Sequence, residues 1–461
     1  MGYITKLSDE IGFSTLVTSG SDVYIITFLR MLRFYGFTGI SLVLALFLKE
    51  DGYNERYIGL LMSLMFFGDL VTSFLLSLVA DKVGRKATYV LSSLVMAITG
   101  VCFIYFHQNY IVIFLVSFIG IITPHGGEVG PFRSVEESVI ADLCAYEKRS
   151  DIYAWGSFLS NLASAFGSVT IGSLITYAQK EYGYSKIDSY LIIFWVYIVI
   201  SLLMAVLSLF LTHKVELNYH QISNGATSTT DAQVNVAASG ETAPLLAASA
   251  VVQPQQRKSF WSKFVPNLSG ESASAIVIKL TLLFALDAFA SSIISFSWQS
   301  YYISRKFNIS TEDLGGVFFC TMIITSITAL LSTSFSKRLG PVVTMVSTHL
   351  PSSIALALVP APSSLKVTIV ILIIRAMTQQ MDVAPKKVFL TTVIKPSQRT
   401  AILGWVNVVK TLAQLAGPSI TGVLTSFDLQ WVCFVVAGTL KSVYDLGIWA
   451  SFLEYNRHNV H

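Results

Sequence analysis

The amino-acid sequence predicts an all-α membrane protein with twelve transmembrane helices in two pseudo-symmetric six-helix halves. Three observations predict this fold class. The 461 residues are 53% hydrophobic and only 13% charged, with a mean hydropathy of +0.64, whereas soluble domains carry roughly 25% charged residues. Twelve apolar runs follow one another along the chain, and the second six repeat features of the first six. The lipid bilayer is therefore the solvent for most of the chain.

Each apolar run is long enough to be one membrane-spanning helix, which needs roughly 20 mostly apolar residues. The predicted spans are residues 24–48, 57–79, 87–106, 110–132, 153–178, 189–212, 277–302, 314–335, 342–360, 367–393, 401–424 and 431–453.

The segments between and around these spans define five regions. Gln221–Gln256 is rich in Ala, Ser, Thr and Gln, with only Asp231 and Glu241 charged, and this composition predicts a disordered linker. The predicted regions are an N-terminal segment 1–23, a first half 24–213, a linker 214–275, a second half 276–454 and a tail 455–461.

The distribution of Lys and Arg predicts the orientation in the membrane. Segments on the side of the N-terminus hold fifteen of these residues, against seven in the loops on the other side. Because cytoplasmic loops carry the excess of positive charge, both termini and the linker are predicted to be cytoplasmic. The formal net charge of +4 does not indicate a nucleic-acid partner.

The two halves share residues at matching positions, as expected for a parallel repeat of the kind found in transporters. Acidic, proline and basic residues recur in the same order inside the fourth and tenth spans. At an offset of 256 the matches are Lys49 with Arg305, Gly59 with Gly315, Lys82 with Arg338 and Gly84 with Gly340. At an offset of 250 they are Arg149 with Arg399, Trp155 with Trp405, Gly167 with Gly417 and Gly172 with Gly422.

The loop between the second and third spans carries a recognisable motif. Its residues read Ser77-Leu-Val-Ala-Asp81-Lys82-Val-Gly84-Arg85-Lys86. This stretch resembles the signature loop of the major facilitator superfamily, with Ser77 where Gly is usual, and the chain looks most like uncharacterised fungal members. The resemblance implies a twelve-helix bundle that rocks between two states, with spans 1, 4, 7 and 10 lining a central cavity.

The same loop predicts a conformational latch at the cytoplasmic face. Asp81, Gly84, Arg85 and Lys86 have the spacing to pair with neighbouring helix ends, and the second-half copy keeps Arg338 and Gly340. The alternative is that these bases only supply the positive charge of a cytoplasmic loop.

Charged residues inside the spans predict the functional site, because such residues usually face the bundle interior. Arg33, Arg133, Lys387 and Arg375 are predicted to hold the negative charge of a solute. The alternative is internal pairing with nearby acids. Glu136 and Glu137, at the end of the fourth span, are predicted to pair with Arg133 or with the loop bases.

Glu128, Asp382 and Asp287 are predicted proton carriers, since buried carboxylates commonly form proton relays in transporters. The alternative for Asp382 is a private pair with Lys386 at i,i+4. Lys441 and Asp445 share that spacing, and a structural pair is predicted for them. Glycine and proline should loosen spans 4 and 10 near their centres. The residues concerned are Gly126, Gly127, Gly130, Pro131 and Pro385.

These features predict a secondary active transporter that moves a small, anionic solute by alternating access coupled to protons. The alternatives are a proton-driven efflux carrier for amphiphilic or cationic compounds and a nutrient sensor that binds without transport. No phosphate-cradling loop, nucleophile elbow or metal-ligand cluster occurs, so neither an enzyme nor a cofactor or metal is predicted. A monomer is expected.

A sorting signal in the linker predicts the membrane in which the protein resides. Glu241, Leu245 and Leu246 fit the acidic dileucine pattern that sorting adaptors bind. The pattern favours a vacuolar membrane, with the plasma membrane as the alternative.

Overall fold

The computed structural model describes residues 12–127, 130–145, 148–216, 271–394 and 399–453. Most of the predicted linker, including the sorting pattern at Glu241, Leu245 and Leu246, lies outside these residues. So do Glu128 and both ends of the chain, and the side chains of Asp81 and Lys387 are likewise not described.

The first half consists of α-helices that follow the predicted spans closely. A short helix precedes them, and a 3₁₀ turn at His213–Val215 follows them. The helices are α1 (Phe13–Val17), α2 (Ser21–Glu50), α3 (Glu55–Val83), α4 (Arg85–Tyr105), α5 (Tyr110–Ile119), α6 (Gly130–Leu143), α7 (Arg149–Tyr182) and α8 (Lys186–Ser208).

The second half repeats this order, again with short connections between its helices. Two of its predicted spans each form two helices. The helices are α9 (Glu271–Ile293), α10 (Phe296–Phe307), α11 (Thr311–Leu339), α12 (Pro341–Leu358), α13 (Leu365–Thr378), α14 (Val383–Val393), α15 (Arg399–Ser426) and α16 (Gln430–Phe452).

Ten helices in the described part of the chain are long and apolar enough to cross a membrane. The fourth predicted span is absent from this group because its apolar helix α5 has only 10 residues, whereas the tenth is counted as one stretch, Leu365–Leu390, that includes its break. The eleventh, α15, is 28 residues long but includes Lys410 and other polar residues. Both belong to the twelve-span plan by their place in the repeat.

Serine and asparagine side chains fix the first turns of several spans. Asn54 accepts a hydrogen bond from the backbone N–H of Tyr57 at the start of α3, and Ser185 caps α8 in the same way. Ser310 caps α11. Each cap satisfies a backbone donor that the helix leaves without a partner, so these helices begin at defined residues.

The two halves meet at two close helix crossings that the sequence repeat relates to each other. A Cβ atom on Gly59 of α3 would lie 3.0 Å from Cα of Gly422 in α15. A Cβ atom on Gly172 of α7 would lie 3.2 Å from Cα of Gly315 in α11. Small residues allow helix backbones in membranes to approach closely. The matched glycines of the repeat are therefore the contact points between the halves.

Hydrophobic packing also joins the halves at one end of the bundle. Residues near the predicted external ends of the second half, such as Trp298 and Phe434, belong to the same buried cluster as the core of the first half. Residues near its cytoplasmic ends, such as Phe284, Val342 and Phe452, form a separate cluster. The halves thus share a core toward the predicted external side.

Candidate functional site

The fourth span is interrupted by a non-helical stretch whose carbonyl groups receive hydrogen bonds from other spans. Gly126 adopts a positive φ of 68° there. Exposed backbone groups are costly within a membrane unless other protein groups satisfy them. The donors come from three spans, and the pairs are Thr38 to Gly126, Ser41 to Thr123, Tyr197 to Ile121, and Ser297 to Pro124.

The predicted loosening of spans 4 and 10 appears as complete interruptions, and span 7 is interrupted as well. In span 10 the break lies at residues 379–382, just before Pro385, which occupies the first turn of α14. In span 7 the break lies at Ile294 and Ser295, with neither glycine nor proline. The sequence carries no breaker signal for it.

Arg375 lies in the last turn of α13, on one side of the break in span 10. Its guanidinium donates a hydrogen bond to the side-chain oxygen of Gln299 at 3.2 Å. Gln299 is buried and belongs to α10, beyond the break in span 7. Within the described residues, no carboxylate lies within ion-pair distance of Arg375. It is therefore a mostly enclosed cation whose protein partner is a neutral amide.

A cluster of acids and lysines lies on the other side of the two breaks. Asp287 of α9 accepts hydrogen bonds from Lys441 at 2.7 Å and from Lys386 at 3.3 Å. Lys386 also pairs with Asp382 at 2.9 Å, as the i,i+4 spacing predicted. Asp287 and Asp382 are both buried. Two of the predicted proton carriers therefore share one lysine.

The predicted pair between Lys441 and Asp445 is wrong. Lys441 contacts Asp287 and Ser291 instead. Asp445 points to His349 of α12, whose Nδ1 lies 2.8 Å from a carboxylate oxygen. Both Lys441 and Asp445 therefore contact side chains of neighbouring helices and not each other, one turn apart on α16. His349 was missed by sequence reasoning, although a carboxylate as deeply placed as Asp445 requires a polar partner.

In the first half, Arg33 has a carboxylate partner that the sequence did not predict. Its guanidinium donates to both oxygens of Glu136, at 2.7 and 3.0 Å, and both side chains are fully buried. Arg30 lies 3.8 Å from the same carboxylate. The prediction that Glu136 pairs with Arg133 or with the loop bases is wrong. The charge of Arg33 is neutralised inside the protein in this conformation.

Arg133 forms an exposed i,i+4 pair with Glu137 at 2.9 Å, as predicted for Glu137. Both side chains are about half exposed, at 52% and 51%.

Comparison with known proteins agrees with this architecture. The family model of the Major Facilitator Superfamily matches residues 26–268 and 280–458. The chain belongs to this superfamily. An uncharacterised membrane protein of Saccharomyces cerevisiae is 31% identical over 441 residues, which span 94% of this chain and 95% of the yeast protein.

Solved structures of superfamily transporters show the same fold at low sequence identity. A D-xylose–proton symporter has a TM-score of 0.65 and 13% identity, covering 93% of this chain and 98% of its own. The nucleoside transporter NupG has a TM-score of 0.64 and 13% identity, with coverage of 94% and 99%. The human organic anion transporter MFSD10 has a TM-score of 0.55 and 15% identity, covering 93% of this chain and 100% of its own. The protein is thus an integral, multi-pass membrane protein of a transporter family.

In the described residues, the signature loop of the superfamily contacts the end of α6 and residues just after the first half. Arg85 donates to Asp142 of α6 at 2.6 Å. The carboxylate of Glu216 accepts from the backbone N–H groups of Arg85 and Lys86, at 2.8 and 3.1 Å. Gly84 has a φ of 103°, which residues with a Cβ atom rarely adopt. The loop residues are therefore tied to the ends of α6 and of the first half.

The second copy of the superfamily loop keeps its backbone shape. Gly340 has a φ of 84°, similar to that of Gly84, and the side chain of Arg338 is exposed. The repeat of glycine at these positions follows from the shared turn conformation, which favours a residue without a Cβ atom.

Proposed function

We propose that this protein is a secondary active transporter that moves a small anionic solute by alternating access, coupled to protons. The observation that carries the proposal is Arg375, an enclosed guanidinium that faces a neutral amide. An intramembrane charge of this kind usually marks a substrate or ion pathway. A carboxylate or phosphate of a solute would supply a counter-charge that the described residues do not place beside Arg375, through bidentate hydrogen bonds.

The other predicted substrate-binding bases support this role less well. Arg33 is occupied by Glu136, and Arg133 is exposed and contacts Glu137. For Lys387 the proposal rests on its place in the sequence beside Lys386. Arg375 is therefore the residue on which the anion proposal depends. The similarity to a human organic anion transporter is in keeping with it.

Proton coupling is assigned to the cluster around Lys386. This lysine lies between Asp287 and Asp382, with Nζ at 3.3 and 2.9 Å from their carboxylate oxygens. If either carboxylate takes up a proton, its pair with Lys386 weakens and the other pair strengthens. Such a cluster has two arrangements that a proton selects between. Glu128 is a further proposed carrier on the basis of its sequence position.

The break in span 10 provides the physical link between solute and proton. Arg375 precedes the break, Asp382 is its last residue, and Lys386 follows it. Within the break, Gln380 accepts a hydrogen bond from Asn161 of the first half at 3.2 Å. A movement of this short stretch changes the anion site, the proton site and a contact between the halves together.

The conformation of the bundle is consistent with a state that opens toward the cytoplasm. The halves are joined at the predicted external ends by the bonds of Tyr301 with Glu55 and of Arg56 with Ser426. The shared hydrophobic core lies at the same ends. Alternating access then requires these contacts to separate while the cytoplasmic ends close.

The proposal is tested by thermal unfolding of the purified protein in detergent with a panel of carboxylates, phosphates, amino acids, sugars and lipophilic cations. A ligand at about 100 times its Kd adds roughly 2.7 kcal/mol to the folded state. Stabilisation by an anion should disappear in Arg375→Gln and be partly kept in Arg375→Lys. The control is Arg305→Gln, which removes an exposed guanidinium paired with Asp428 and should leave the shift unchanged.

Two results would overturn the proposal. Stabilisation by lipophilic cations alone, unaffected by Arg375→Gln, would favour the efflux carrier. An anion that binds but does not cross the membrane of proteoliposomes, even with a pH gradient, would indicate a sensor. Flux of the stabilising anion that increases with an imposed pH gradient would support proton-coupled transport.

A further inference from the structure

His349 occupies the middle of α12 and connects two carboxylates on different helices. Its Nδ1 lies 2.8 and 3.0 Å from the oxygens of Asp445 on α16. Its Nε2 lies 4.0 Å from Asp287 on α9. The imidazole is buried, as are both carboxylates.

We propose that His349 carries the coupling proton in this conformation, as an imidazolium held between Asp445 and Asp287. This inference deepens the proposed function, since it names the site at which the transported proton resides. The relevant observation is that carboxylates lie at ion-pair distance from both ring nitrogens, with a hydrogen bond at Nδ1 and a longer separation of 4.0 Å at Nε2. A neutral imidazole carries no charge to offset these two carboxylates, whereas an imidazolium donates from Nδ1 to Asp445 and attracts Asp287 across the longer gap.

The hydrogen-bond partners of Asp445 also indicate that His349 is positively charged. Among the described residues, the groups that hydrogen-bond its carboxylate are His349 and the hydroxyl of Ser353, at 3.1 Å. A buried carboxylate without a positive partner is strongly unfavourable. Lys441 donates its hydrogen bonds to Asp287 and Ser291. His349 is thus the group placed to neutralise Asp445.

The cluster beside the histidine and the helices packed against α12 carry further charged groups. Asp382 and Lys386 of the α14 region lie in the same cluster, and Tyr444 of α16 places its ring against the imidazole at 5.8 Å. Lys410 of α15 lies against the ring of Phe284 at 5.9 Å. The two other helices that pack on α12 carry charges as well. These are Glu312, Asp313, Lys337 and Arg338 in α11, and Lys366 and Arg375 in α13.

This arrangement forms a short route for a proton. The gap of 4.0 Å between Nε2 of His349 and Asp287 is longer than a hydrogen bond, so the proton passes to Asp287 when the two side chains approach each other. Asp287 then releases Lys386 to pair more closely with Asp382. No bond other than N–H and O–H is formed or broken, and the proton is the transported species itself. Asp445 keeps its place beside Nδ1 and holds the ring in orientation, so Asp445 is a positioning residue.

The test is nitrogen NMR of the full-length protein with labelled histidines at neutral pH, where a free imidazole is mostly neutral. The signal of His349 is identified by its loss in His349→Gln. If that variant does not fold, the signal is the one displaced in Ser353→Ala. Both nitrogens of His349 should be protonated in the wild type, and Asp445→Asn should convert the ring to its neutral form. The control His213→Gln alters an exposed histidine and should leave the signal in place.

A neutral His349 in the wild type would overturn the inference. So would an imidazolium that persists in Asp445→Asn. The result is separable from the anion proposal, because the stabilising anion should still raise the Tm of His349→Gln through Arg375. If no anion stabilises the wild type while His349 is protonated, the anion site is refuted and the proton site is left intact.

Discussion

Arg375 donates a hydrogen bond to Gln299 across the two interrupted spans of the second half, at 3.2 Å. On the opposite side of the same interruptions, Lys386 contacts Asp287. Spans 7 and 10 are therefore joined by polar groups both before and after their breaks. One contact contains a cation beside a neutral amide, and the other contains paired charges. The first has the properties of a ligand site, and the second those of a proton site.

Gln299→Glu should weaken binding of the anion by giving Arg375 an internal counter-charge. The new pair would compete with the ligand, because a charge-assisted bond is roughly twice as strong as a neutral one. We expect a higher Tm without ligand and at least a tenfold weaker apparent affinity for the stabilising anion, measured by thermal unfolding. Gln299→Met, which adds no charge, should keep most of the anion-induced shift. Equal affinity in the wild type and Gln299→Glu would contradict the site.

Glu136→Gln should destabilise the first half strongly because it leaves Arg33 without its counter-charge. Removing one partner of a buried ion pair costs about 3–5 kcal/mol. The neighbouring change Glu137→Gln breaks an exposed pair with Arg133 and should cost no more than about 1 kcal/mol. Denaturant unfolding in mixed micelles measures both. Similar decreases in the free energy of unfolding of the two variants would show that the charge of Arg33 does not require Glu136 as its counter-charge.

Gly315→Ala should weaken the contact between the halves, whereas Gly316→Ala should not. A Cβ atom on Gly315 would overlap the backbone oxygen of Ser168, but one on Gly316 meets nothing within 4 Å. Overpacking of this kind typically costs about 1–3 kcal/mol. Both substitutions add the same methyl group to the same helix, so their difference in Tm reports the close approach alone. A lower Tm for Gly316→Ala than for Gly315→Ala would contradict the crossing.

The stability of the protein should include a pH-dependent contribution from Asp51 in the loop after α2. One of its carboxylate oxygens lies 2.7 Å from His107, and the other is buried without a hydrogen-bond partner in the described residues. Burial raises the pKa of Asp51 above its unfolded value of about 3.9. The folded state therefore binds the extra proton, and this contribution is full below about pH 4 and is lost as pH rises through the folded pKa.

Asp51→Asn should remove this decline, so its Tm relative to the wild type should rise between about pH 4 and neutral pH. The control Glu181→Gln removes an exposed carboxylate and should follow the wild type. If the Tm of Asp51→Asn and that of the wild type change in parallel with pH, Asp51 makes no pH-dependent contribution to stability.

Local patterns allowed the spans and some contacts to be predicted from the sequence. The spacing of Asp382 and Lys386 allowed a pair within one helical turn, whereas the matched glycines indicated a repeat but not that they form contacts between the halves. Arg33 and Glu136 are 103 residues apart, so their pairing depends on how α2 and α6 pack. Lys441 and Asp445 had the same spacing as Asp382 and Lys386, but their partners lie on other helices. The break in span 7 has no local breaker and is fixed by contacts such as that of Ser297 with Pro124.

The two glycine crossings have the geometry of an isologous interface. A Cβ atom on Gly422 would overlap the backbone oxygen of Glu55, and one on Gly172 would overlap that of Thr311. Glu55 and Thr311 are separated by the same 256 positions as Gly59 and Gly315. One surface is thus used twice, as in a two-fold symmetric dimer. This pairing of equivalent positions is the arrangement expected if the two halves descend from one duplicated unit that formed a homodimer.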